Sequence, residues 1–578
     1  MASPIPPICS WILSSQHRIF QGSMPEVSIE RISGMRNEPL TFTVAYRAVA
    51  EKAPNGRVPD VPISVQVSSD TLPITVYKVL SVPFAASECE DAGADAIGPC
   101  PDILQKRIAC PEIVSLDGEV HVPFYERDER VLLNASAAAT QSLSVTVNEA
   151  GKVLAAGTHR VSVRILSLMS GKLLAEHSLT VELINAVLPE SDLLYSNWLY
   201  CDCLADTSGL ELWSDAYFEL LGRYIKNATL HGMNTLLTPA FTPALDTPVG
   251  TERMNVQLVG VRVCGEHYEF DFSLLRRFVR LALENGITCF EHCHLFSQWG
   301  AGSAINIYGA RNGKQERLFG WETPATDPAY VRFLTEYLTA FLAFAEEEGI
   351  SNALLFHISD EPAEEHKENY ANAIATVSAV LGDRRIGDAL SSYEFYRNGL
   401  VRLPIVDMAF VDDFDGRCNE MMLYYTGGEK QPGMSNRLLT NAPSRTRVLG
   451  LHLYRYRARG FLHWGYNYTY GRLSQGLFDP ATDPCFYKNI PGVTYLVYAD
   501  RRGNPMPSLR ERQMCEAIND YRALKLLESF IGYDAVMQLC TEVMGEPIGF
   551  LTLPHHPDTL ITLRDRVNRA IAGFVGGV

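Results

Sequence analysis

The sequence lacks the features of a membrane protein or a nucleic-acid-binding protein. It has no run of about 18 apolar residues, the length that a transmembrane helix needs. No Lys/Arg-rich run offsets the formal net charge of -17, which would repel phosphate backbones and anionic lipid surfaces. The first residues lack a basic segment followed by an apolar stretch, so no secretion signal is indicated. We therefore expect a cytoplasmic protein that has neither nucleic acid nor a membrane as a partner.

Motifs of metal, nucleotide and serine-hydrolase chemistry are also missing. The 13 cysteines form no CxxC pair, and many stand in apolar stretches, so we expect reduced, buried thiols and no zinc site. There is no GxGxxG that opens a helix, no GxxxxGK[ST], no HExxH and no GxSxG. We therefore expect no cofactor and no metal. The cysteines in the clearest apolar stretches are Cys201, Cys203, Cys289 and Cys293.

What the sequence does contain is an ordinary globular composition, with 47% hydrophobic and 20% charged residues over 578 residues. A chain of this length predicts two or three domains. Apolar and polar residues alternate from Thr41 to Ile184, which favours a β-sandwich over residues 1–188, with an irregular start of about 25 residues. Turn signals at 148–151 and 170–171 indicate antiparallel neighbours.

After Pro189, apolar strands alternate with helices, as in βα units. The clearest helices are Leu212–Thr229 and Tyr330–Glu347, whose apolar residues recur at three- and four-residue spacing. We interpret residues 189–504 as a TIM-type (β/α)8 barrel, which makes the chain an α/β protein. The eight predicted strands are Leu194–Cys201, Asn234–Pro239, Ile287–Cys293, Ala353–Ser359, Ile386–Leu390, Ile405–Val411, Leu423–Thr426 and Phe461–Tyr466.

Two further segments complete the predicted layout. A strand-like insertion over 256–270 is too long for an ordinary βα loop, and we expect it to form a pocket rim or the contact of a homo-oligomer. Ser508 followed by Glu511 is a capping box, which predicts a small helical region over 505–578.

The strongest candidate for catalysis is the segment 356–362, FHISDEP, in which an apolar run ends in two carboxylates and a proline. Barrels keep their active sites at the carboxyl ends of their strands. Two crowded carboxylates cannot both ionise freely, so one supplies a proton near neutral pH and the other stays an anion. We therefore predict Asp360 and Glu361 as the catalytic pair. The alternative is that Asp360 caps the next helix and Glu361 lies in its first turn.

The adjacency of the two carboxylates bears on mechanism. Ordinary glycosidases place theirs across the sugar, roughly 5–5.5 or 6.5–9.5 Å apart. Neighbours in sequence rarely straddle a sugar ring, so a substrate-assisted route suits them better. In that route the acetamido oxygen of the sugar attacks the anomeric carbon, one carboxylate steadies the acetamido nitrogen, and the other protonates the leaving oxygen.

Two other strand ends carry polar and aromatic residues that suit a sugar, namely 291–299 (EHCHLFSQW) and 460–467 (GFLHWGYN). Tyr424 and Tyr425 extend the same theme. In the first segment, a metal on the two histidines with Glu291 or Cys293 is the alternative. The predicted substrate-binding residues are Asp246, His292, His294, Gln298, Trp299, Tyr393, Tyr425, Arg437, Trp464, Tyr466 and Asn467.

These segments, together with 435–437 (SNR) and the helix start at 507–510, resemble glycoside hydrolase family 123 and its wider catalytic-domain relatives. The resemblance spans about Tyr195 to Leu527 and fits the N-terminal β-sandwich as well. It implies an exo-acting β-N-acetylgalactosaminidase that retains configuration through an oxazolinium intermediate. It also implies that Asp360 orients the acetamido group and that Glu361 is the general acid/base. The resemblance leaves Tyr425 and Tyr466 as candidates to bond the acetamido oxygen.

Two other functions stay open from the residues alone. The first is a glycosidase for a sugar without a 2-acetamido group, with Asp202, Asp246 or Glu291 as the second carboxylate. The second is a non-catalytic carbohydrate-binding protein on a barrel scaffold. Retention of both carboxylates at 360–361 argues against the second function.

Overall fold

A computed structural model describes residues 8–49, 60–83, 99–106, 115–116, 119–120, 125–127, 130–427 and 434–576. In the N-terminal part of the chain, the regular elements among the described residues are all strands. These strands are β1 (Ile8–Ser14), β2 (Arg31–Met35), β3 (Leu40–Ala48), β4 (Val61–Ser68), β5 (Ile74–Val82), β6 (Cys100–Gln105), β7 (Ser115–Leu116), β8 (Glu119–Val120), β9 (Tyr125–Arg127), β10 (Arg130–Ala135), β11 (Gln141–Val147), β12 (Gly157–Ser167) and β13 (Leu173–Ile184).

Most of these strands form two sheets that share one apolar core. The first sheet has the order β1-β3-β11-β5-β6 and the second has the order β2-β13-β12-β4-β10-β9. Alternate side chains point inward, as the period of a strand requires, so that Phe42 and Val44 from the first sheet meet Val161 and Val163 from the second. The alternation in the sequence therefore identified the buried face of both sheets.

The two predicted turns behave differently. The turn at 170–171 joins β12 to β13, which pair antiparallel as expected. The turn at 148–151 joins β11 to β12, which lie in different sheets, so the prediction of antiparallel neighbours is wrong there. Asn148 has a φ of 58° and its side chain binds the backbone N–H and C=O of Lys152. This local turn directs the chain out of the first sheet.

The centre of the molecule is a sheet of eight parallel strands. Their order is β21 (Leu354–Phe356), β18 (Cys289–His292), β15 (Thr235–Thr238), β14 (Leu194–Asn197), β25 (Gly460–His463), β24 (Met422–Tyr424), β23 (Ile405–Asp407) and β22 (Ala389–Leu390). Each of the eight predicted strands contributes one of them. The two outer strands approach each other, because the N–H of Phe356 donates to the C=O of Arg385 over 3.0 Å and the bridge Phe356–Ile386 is parallel. The strands after β13 are β14 (Leu194–Asn197), β15 (Thr235–Thr238), β16 (Gly260–Cys264), β17 (His267–Asp271), β18 (Cys289–His292), β19 (Ile307–Arg311), β20 (Lys314–Phe319), β21 (Leu354–Phe356), β22 (Ala389–Leu390), β23 (Ile405–Asp407), β24 (Met422–Tyr424), β25 (Gly460–His463), β26 (Tyr498–Ala499) and β27 (Pro505–Met506).

Helices connect these strands and form the C-terminal region. The two helices predicted from periodicity form as α2 (Asp215–Leu230) and α4 (Pro328–Glu347). The helices α6 (Glu394–Arg397) and α7 (Val411–Phe414) have only four residues each, so the ring of helices is uneven. A mixed α/β fold with a sheet-rich N-terminal region and a helical C-terminal region is confirmed. The helices are α1 (Cys201–Ser208), α2 (Asp215–Leu230), α3 (Ser273–Glu284), α4 (Pro328–Glu347), α5 (Lys367–Leu381), α6 (Glu394–Arg397), α7 (Val411–Phe414), α8 (Pro443–Arg447), α9 (Leu449–Arg455), α10 (Leu509–Ile531), α11 (Tyr533–Met544) and α12 (Thr559–Val575).

The predicted capping box opens α10, although only half of it forms. The hydroxyl of Ser508 accepts from the N–H of Glu511 over 3.0 Å. The Glu511 carboxylate accepts instead from Asn227 and Tyr466, and these contacts dock α10 against α2 and the segment after β25. The Glu511 side chain, which the capping box would direct to the helix start, thus lies in a buried polar contact of α10 with α2 and the segment after β25.

The insertion contributes β16 and β17 to a small second sheet, which β19 and β20 from the segment after β18 complete in the order β17-β16-β19-β20. It packs on α4, where the ring of Tyr268 meets that of Phe333 at 5.0 Å and Glu336 accepts from the N–H of Tyr268.

Within the part of the chain that the structure describes, no helix has both the length and the apolar character for crossing a bilayer. Cys201 and Cys289 are free thiols, and both are buried.

Candidate active site

A cavity of about 340 Å³ opens at the carboxyl ends of the central strands. Its walls are rich in tyrosine and tryptophan, and three carboxylates reach it. Parallel strands place their carboxyl ends at one edge, so residues far apart in sequence meet here. The polar and aromatic residues of the lining are Trp198, Tyr200, Asp246, Trp299, Asp360, Glu361, Tyr424, Thr426, Trp464, Tyr487 and Lys488.

Asp360 and Glu361 follow β21 and both line this cavity. Glu361 has a φ of 41°, a left-handed conformation that is uncommon for a residue with a side chain. This turn lets consecutive side chains reach one space, whereas a continued strand would send them to opposite faces. The helix-cap alternative is wrong, because α5 begins only at Lys367 with His366 as its N-cap.

The loop that carries the two carboxylates is tied to the loop after β18. The N–H of Trp299 donates to the C=O of Asp360 over 3.0 Å. The Ser359 hydroxyl accepts from the N–H groups of Gly300 and Ala301 and donates to the C=O of Ser297. These bonds hold the Trp299 side chain, which is 44% exposed, at the mouth of the cavity.

The electrostatic environment of Asp360 disfavours its charge. Burial raises the pKa of this carboxyl well above its usual range, and the carboxylates of Glu361 and Asp388 raise it further. The hydroxyl of Tyr424 donates to Oε1 of Glu361 over 2.8 Å. The two neighbouring acids therefore differ, since Asp360 is half-buried while Glu361 is exposed and bonded to a phenol.

Asp246 contributes the third carboxylate, from the chain that follows β15. It also has a positive φ, of 44°, and its Oδ2 accepts from the hydroxyl of Tyr468 at 2.6 Å and from the N–H of Leu473 at 3.1 Å. Trp464 packs beside it, with ring distances of 5.4 Å to Tyr468 and 5.3 Å to Tyr487. Carboxylates between aromatic rings form a cavity wall suited to a sugar, whose apolar face stacks and whose hydroxyls donate hydrogen bonds.

The family model of the glycoside hydrolase 123 catalytic domain matches residues 198–527, which include this entire lining. The chain belongs to glycoside hydrolase family 123. It is a glycoside hydrolase, and its substrate is accordingly a carbohydrate. No functionally curated protein matches the sequence significantly.

The structure of this family 123 chain is similar to solved structures. It is similar to a family 123 glycoside hydrolase from Clostridium perfringens, a structure that details glycolipid glycan hydrolysis, with a TM-score of 0.71, 14% identity and 98% of each chain covered. A Bacteroides uniformis β-glucuronidase 2 has a TM-score of 0.28 and 10% identity, with 84% of this chain and 49% of that chain covered. At 14% identity the first likeness establishes the fold alone, and the second is too weak to support an argument.

Of the predicted site residues of this family 123 enzyme, Asp246, Trp299, Asp360, Glu361 and Trp464 line the cavity. The others do not line it. Most of their side chains are directed into the helix layer or into the packing beneath the cavity. These residues are His292, His294, Gln298, Tyr393, Tyr425, Arg437, Tyr466 and Asn467.

Three of these eight face the helices. Nε2 of His292 lies 2.7 Å from the hydroxyl of Tyr337 on α4, and the hydroxyl of Tyr425 donates to the sulfur of Met514 on α10. Tyr466 donates to Glu511, also on α10. Successive strand residues point to opposite faces, so Tyr424 reaches the cavity and its neighbour cannot.

The other five support the site or lie beside it. Three of them bond to backbone or buried polar groups behind the lining, one stacks on a buried ring, and one lies near the surface. The Asn467 amide bonds to both the N–H and the C=O of Tyr200, Gln298 donates to the C=O of Thr247, Arg437 contacts Asn197 and His463, His294 stacks on His357 at 4.8 Å, and Tyr393 donates to the C=O of Arg417.

The site also contains residues that the sequence did not single out as binding residues. Trp198 directly follows β14, an aromatic strand end of the type used to find Trp464, so the same signal applied to it. Tyr200 directly precedes α1, and its backbone N–H and C=O bond to the amide of Asn467. Tyr487 and Lys488 come from an irregular stretch after β25 that has no periodic pattern. None of the described lining residues comes from the insertion, so the expected pocket rim at 256–270 is wrong.

The suggested metal site on His292 and His294 does not form, because the two rings point into different layers. Among the described residues, His294, His357 and Asp388 have potential ligand atoms within 4.8 Å of one another. The Asp388 oxygens already accept from two backbone N–H groups and from the hydroxyl of Tyr370. Its remaining contact is with the His357 ring at 3.3 Å, which is the geometry of an ion pair.

Proposed function

We propose that this glycoside hydrolase removes terminal β-linked N-acetylgalactosamine with retention of configuration, and that the 2-acetamido group of the substrate is the nucleophile. The observation that carries the proposal is that consecutive carboxylates, Asp360 and Glu361, line one cavity from the same loop. A nucleophile and an acid on one loop cannot flank a sugar ring as ordinary glycosidase carboxylates do. An internal nucleophile removes that requirement.

The two carboxylates have distinct roles in the proposed reaction. The acetamido carbonyl oxygen attacks the anomeric carbon as the glycosidic C–O bond breaks, and Glu361 gives its proton to the leaving oxygen. Asp360 accepts a hydrogen bond from the acetamido N–H and faces the positive charge of the oxazolinium ring. Glu361 then takes a proton from the water that attacks the anomeric carbon, which reopens the ring and restores the acetamido group.

The surroundings of Asp360 favour this role. Burial and neighbouring carboxylates make its negative charge costly in the empty site. A cation that forms beside it relieves this cost, so the carboxylate interacts more strongly with the oxazolinium-like transition state than with the neutral substrate. Stabilisation of this differential kind lowers the barrier.

The size and lining of the cavity support exo action on a single sugar. Its volume of about 340 Å³ is near the lower end for small-molecule sites. Trp198, Trp464 and Tyr487 offer ring faces, and Lys488 and Asp246 offer polar atoms. The choice of galactosamine rests on the family resemblance, and the glycolipid glycan hydrolysis described for the Clostridium perfringens enzyme is consistent with it.

One observation favours a second candidate, a glycosidase for a sugar without a 2-acetamido group. Asp246 lines the same cavity and could act as a second carboxylate across the sugar. The other two acids considered for that role are engaged elsewhere. Asp202 forms a buried ion pair with Arg253 at 2.6 Å, and Glu291 accepts from the indole of Trp198 at 2.7 Å.

A panel of aryl glycosides separates the two candidates. We expect hydrolysis of aryl β-N-acetylgalactosaminide, little or none of aryl β-galactoside, and inhibition by the thiazoline that mimics the cyclic intermediate. Hydrolysis of the galactoside alone, without thiazoline inhibition, would favour the second candidate.

The wider organisation is also proposed. The bridge between Phe356 and Ile386 supports closure of the eight strands into a (β/α)8 barrel. We propose domains at 1–188, 189–504 and 505–578, with the first a β-sandwich, as the shared core of its two sheets suggests. A cytoplasmic location and a homo-oligomer remain predictions from the sequence.

A further inference from the structure

A buried charged network lies beneath the cavity and is centred on His357. Nδ1 of His357 is 3.3 Å from Oδ1 of Asp388, and its Nε2 is 3.7 Å from Oε2 of Glu291. All three side chains are 1% exposed or less. Three ionisable groups so far from water remain charged only if they compensate one another.

Both carboxylates of this network are fixed to the framework of the active site. Asp388 accepts from the N–H groups of Ile358 and Ser359, which immediately precede Asp360. Glu291 accepts from the indole N–H of Trp198, and Trp198 lines the cavity. The network therefore connects the backbone that carries the catalytic pair with one wall of the cavity.

His357 is the cation of the network. Burial alone would lower the pKa of its imidazole, but Asp388 and Glu291 raise it to about 10. The other titratable groups that face it are His292, His294 and Asp360. Burial lowers the pKa of His292 to about 4 and that of His294 well below its usual value, so these two rings are neutral at neutral pH.

The charged groups that act on Asp360 are mostly negative. Besides burial, the carboxylates of Glu361, Asp388 and Asp246 raise its pKa, and His357 is the group that opposes them. If the His357 charge were absent, three carboxylates would act on Asp360 without this counterion. His357, three residues before Asp360, thus supplies the positive charge that partly offsets these carboxylates.

We propose that His357 is a positioning residue which, held between Glu291 and Asp388, keeps a positive charge beneath Asp360 so that Asp360 enters the reaction as a carboxylate. This inference rests on the proposed function, in which Asp360 must accept the acetamido N–H. The histidine touches neither the substrate nor the leaving group. It acts through the loop and through the charge of Asp360.

The test is the pH dependence of kcat/KM for His357→Gln on aryl β-N-acetylgalactosaminide. The acid limb of this profile reports ionisation of the essential carboxylate in the free enzyme. Loss of the cation makes that ionisation harder, so we expect the acid limb to move up by about 1 pH unit or more. Activity at pH 5 should then fall at least tenfold further than activity at pH 8. A loss that is equal at all pH values would overturn the proposal, because a purely structural defect has no such slope.

A control and a second variant keep the test decisive. His292→Gln removes an equally buried histidine that bonds to Tyr337, away from the carboxylates, so the acid limb should stay in place. Glu291→Gln removes one of the two carboxylates that keep His357 charged and can retain the bond to Trp198 through its amide oxygen, so the acid limb should move up, in the same direction as in His357→Gln. An acid limb that stays in place or moves down in Glu291→Gln would contradict the proposal, and this outcome is decisive even if His357→Gln folds poorly.

The outcome is distinguishable from failure of the proposed function. If the wild-type chain does not hydrolyse any N-acetylhexosaminide, the proposed function fails. If the wild-type chain is active and the profiles of the variants run parallel to it, only the role of His357 fails.

Discussion

The hydroxyl of Tyr424 donates a hydrogen bond of 2.8 Å to Oε1 of Glu361. Tyr424 ends β24 and Glu361 follows β21, so this bond connects the carboxyl ends of two strands that are not neighbours in the sheet. It orients a side chain that is otherwise exposed. The proposed general acid is thus held in place from another strand.

Removal of this phenol should slow the reaction without weakening substrate binding. A hydrogen bond to a charged group contributes about 1.5–3 kcal/mol, so for Tyr424→Phe we expect kcat to fall about tenfold or more while KM changes little. The matched control is Tyr425→Phe, because that phenol faces Met514 on the opposite side of the strand. Equal loss of kcat in both variants would show that the bond to Glu361 has no special role.

Glu361→Gln should abolish nearly all turnover of substrates with poor leaving groups. General acid catalysis contributes about 10²–10⁴-fold, and a leaving group that departs without protonation needs little of it. The rate should therefore recover partly on aryl glycosides with acidic phenols. The measurement is kcat across a series of leaving groups, and a uniform loss along that series would argue against Glu361 as the acid.

Asp360→Asn should slow formation of the cyclic intermediate whatever the leaving group. The amide retains the shape of the side chain but lacks the charge that stabilises the oxazolinium ring. We expect a loss of about 10²-fold or more in kcat/KM that is the same for good and poor leaving groups. Undiminished activity in this variant would remove Asp360 from the mechanism.

Gly300→Ala tests the contact between the loop after β18 and the chain after β21. Its φ is 113°, and an added Cβ would lie 2.4 Å from the ring of His366. Gly300→Ala should lower the free energy of unfolding by about 1–3 kcal/mol and disturb the Trp299 contact with Asp360. Gly302→Ala is the control, since no atom lies within 4 Å of its added Cβ. Thermal unfolding of both variants, with equal midpoints, would contradict the expected strain.

Glu511 predicts a pH dependence of stability. Burial raises the pKa of this carboxyl from 4.5 to about 7 in the folded state, so folding favours its protonated form. The stabilisation is complete below the unfolded pKa and is lost as pH rises through about 7, a change on the order of 3 kcal/mol. Relative to Glu511→Gln, the wild-type free energy of unfolding should therefore fall between pH 4.5 and 8. Urea unfolding at several pH values measures this difference, and a constant difference would refute it.

The strand pattern predicted the central sheet well because each strand is an apolar run with a clear break. Most of the predicted strands extend too far at their carboxyl ends, as at Ala353–Ser359, where the paired strand is Leu354–Phe356. Beyond the last paired residue most of these runs stay buried, although Phe410 in the run that follows β23 is 43% exposed. Composition alone does not separate a buried strand from a buried loop.

The site was less predictable than the fold. The choice between Tyr424 and Tyr425 depends on the register of a three-residue strand, and a shift by one residue exchanges the two faces. Tyr487 lies in irregular chain, which carries no periodic signal. The position of Asp360 and Glu361 in the cavity was predictable, because both directly follow an apolar strand run and the carboxyl ends of parallel strands meet at one edge.

The central claim is that the nucleophile belongs to the substrate, and one measurement tests it most directly. Aryl β-galactosaminides that carry N-acetyl, N-fluoroacetyl, N-difluoroacetyl and N-trifluoroacetyl groups provide carbonyl oxygens of falling nucleophilicity. If that oxygen attacks the anomeric carbon, kcat/KM should fall steeply along the series, by more than tenfold in all. A rate that does not depend on fluorine content would contradict the account and direct attention to Asp246 as the attacking carboxylate.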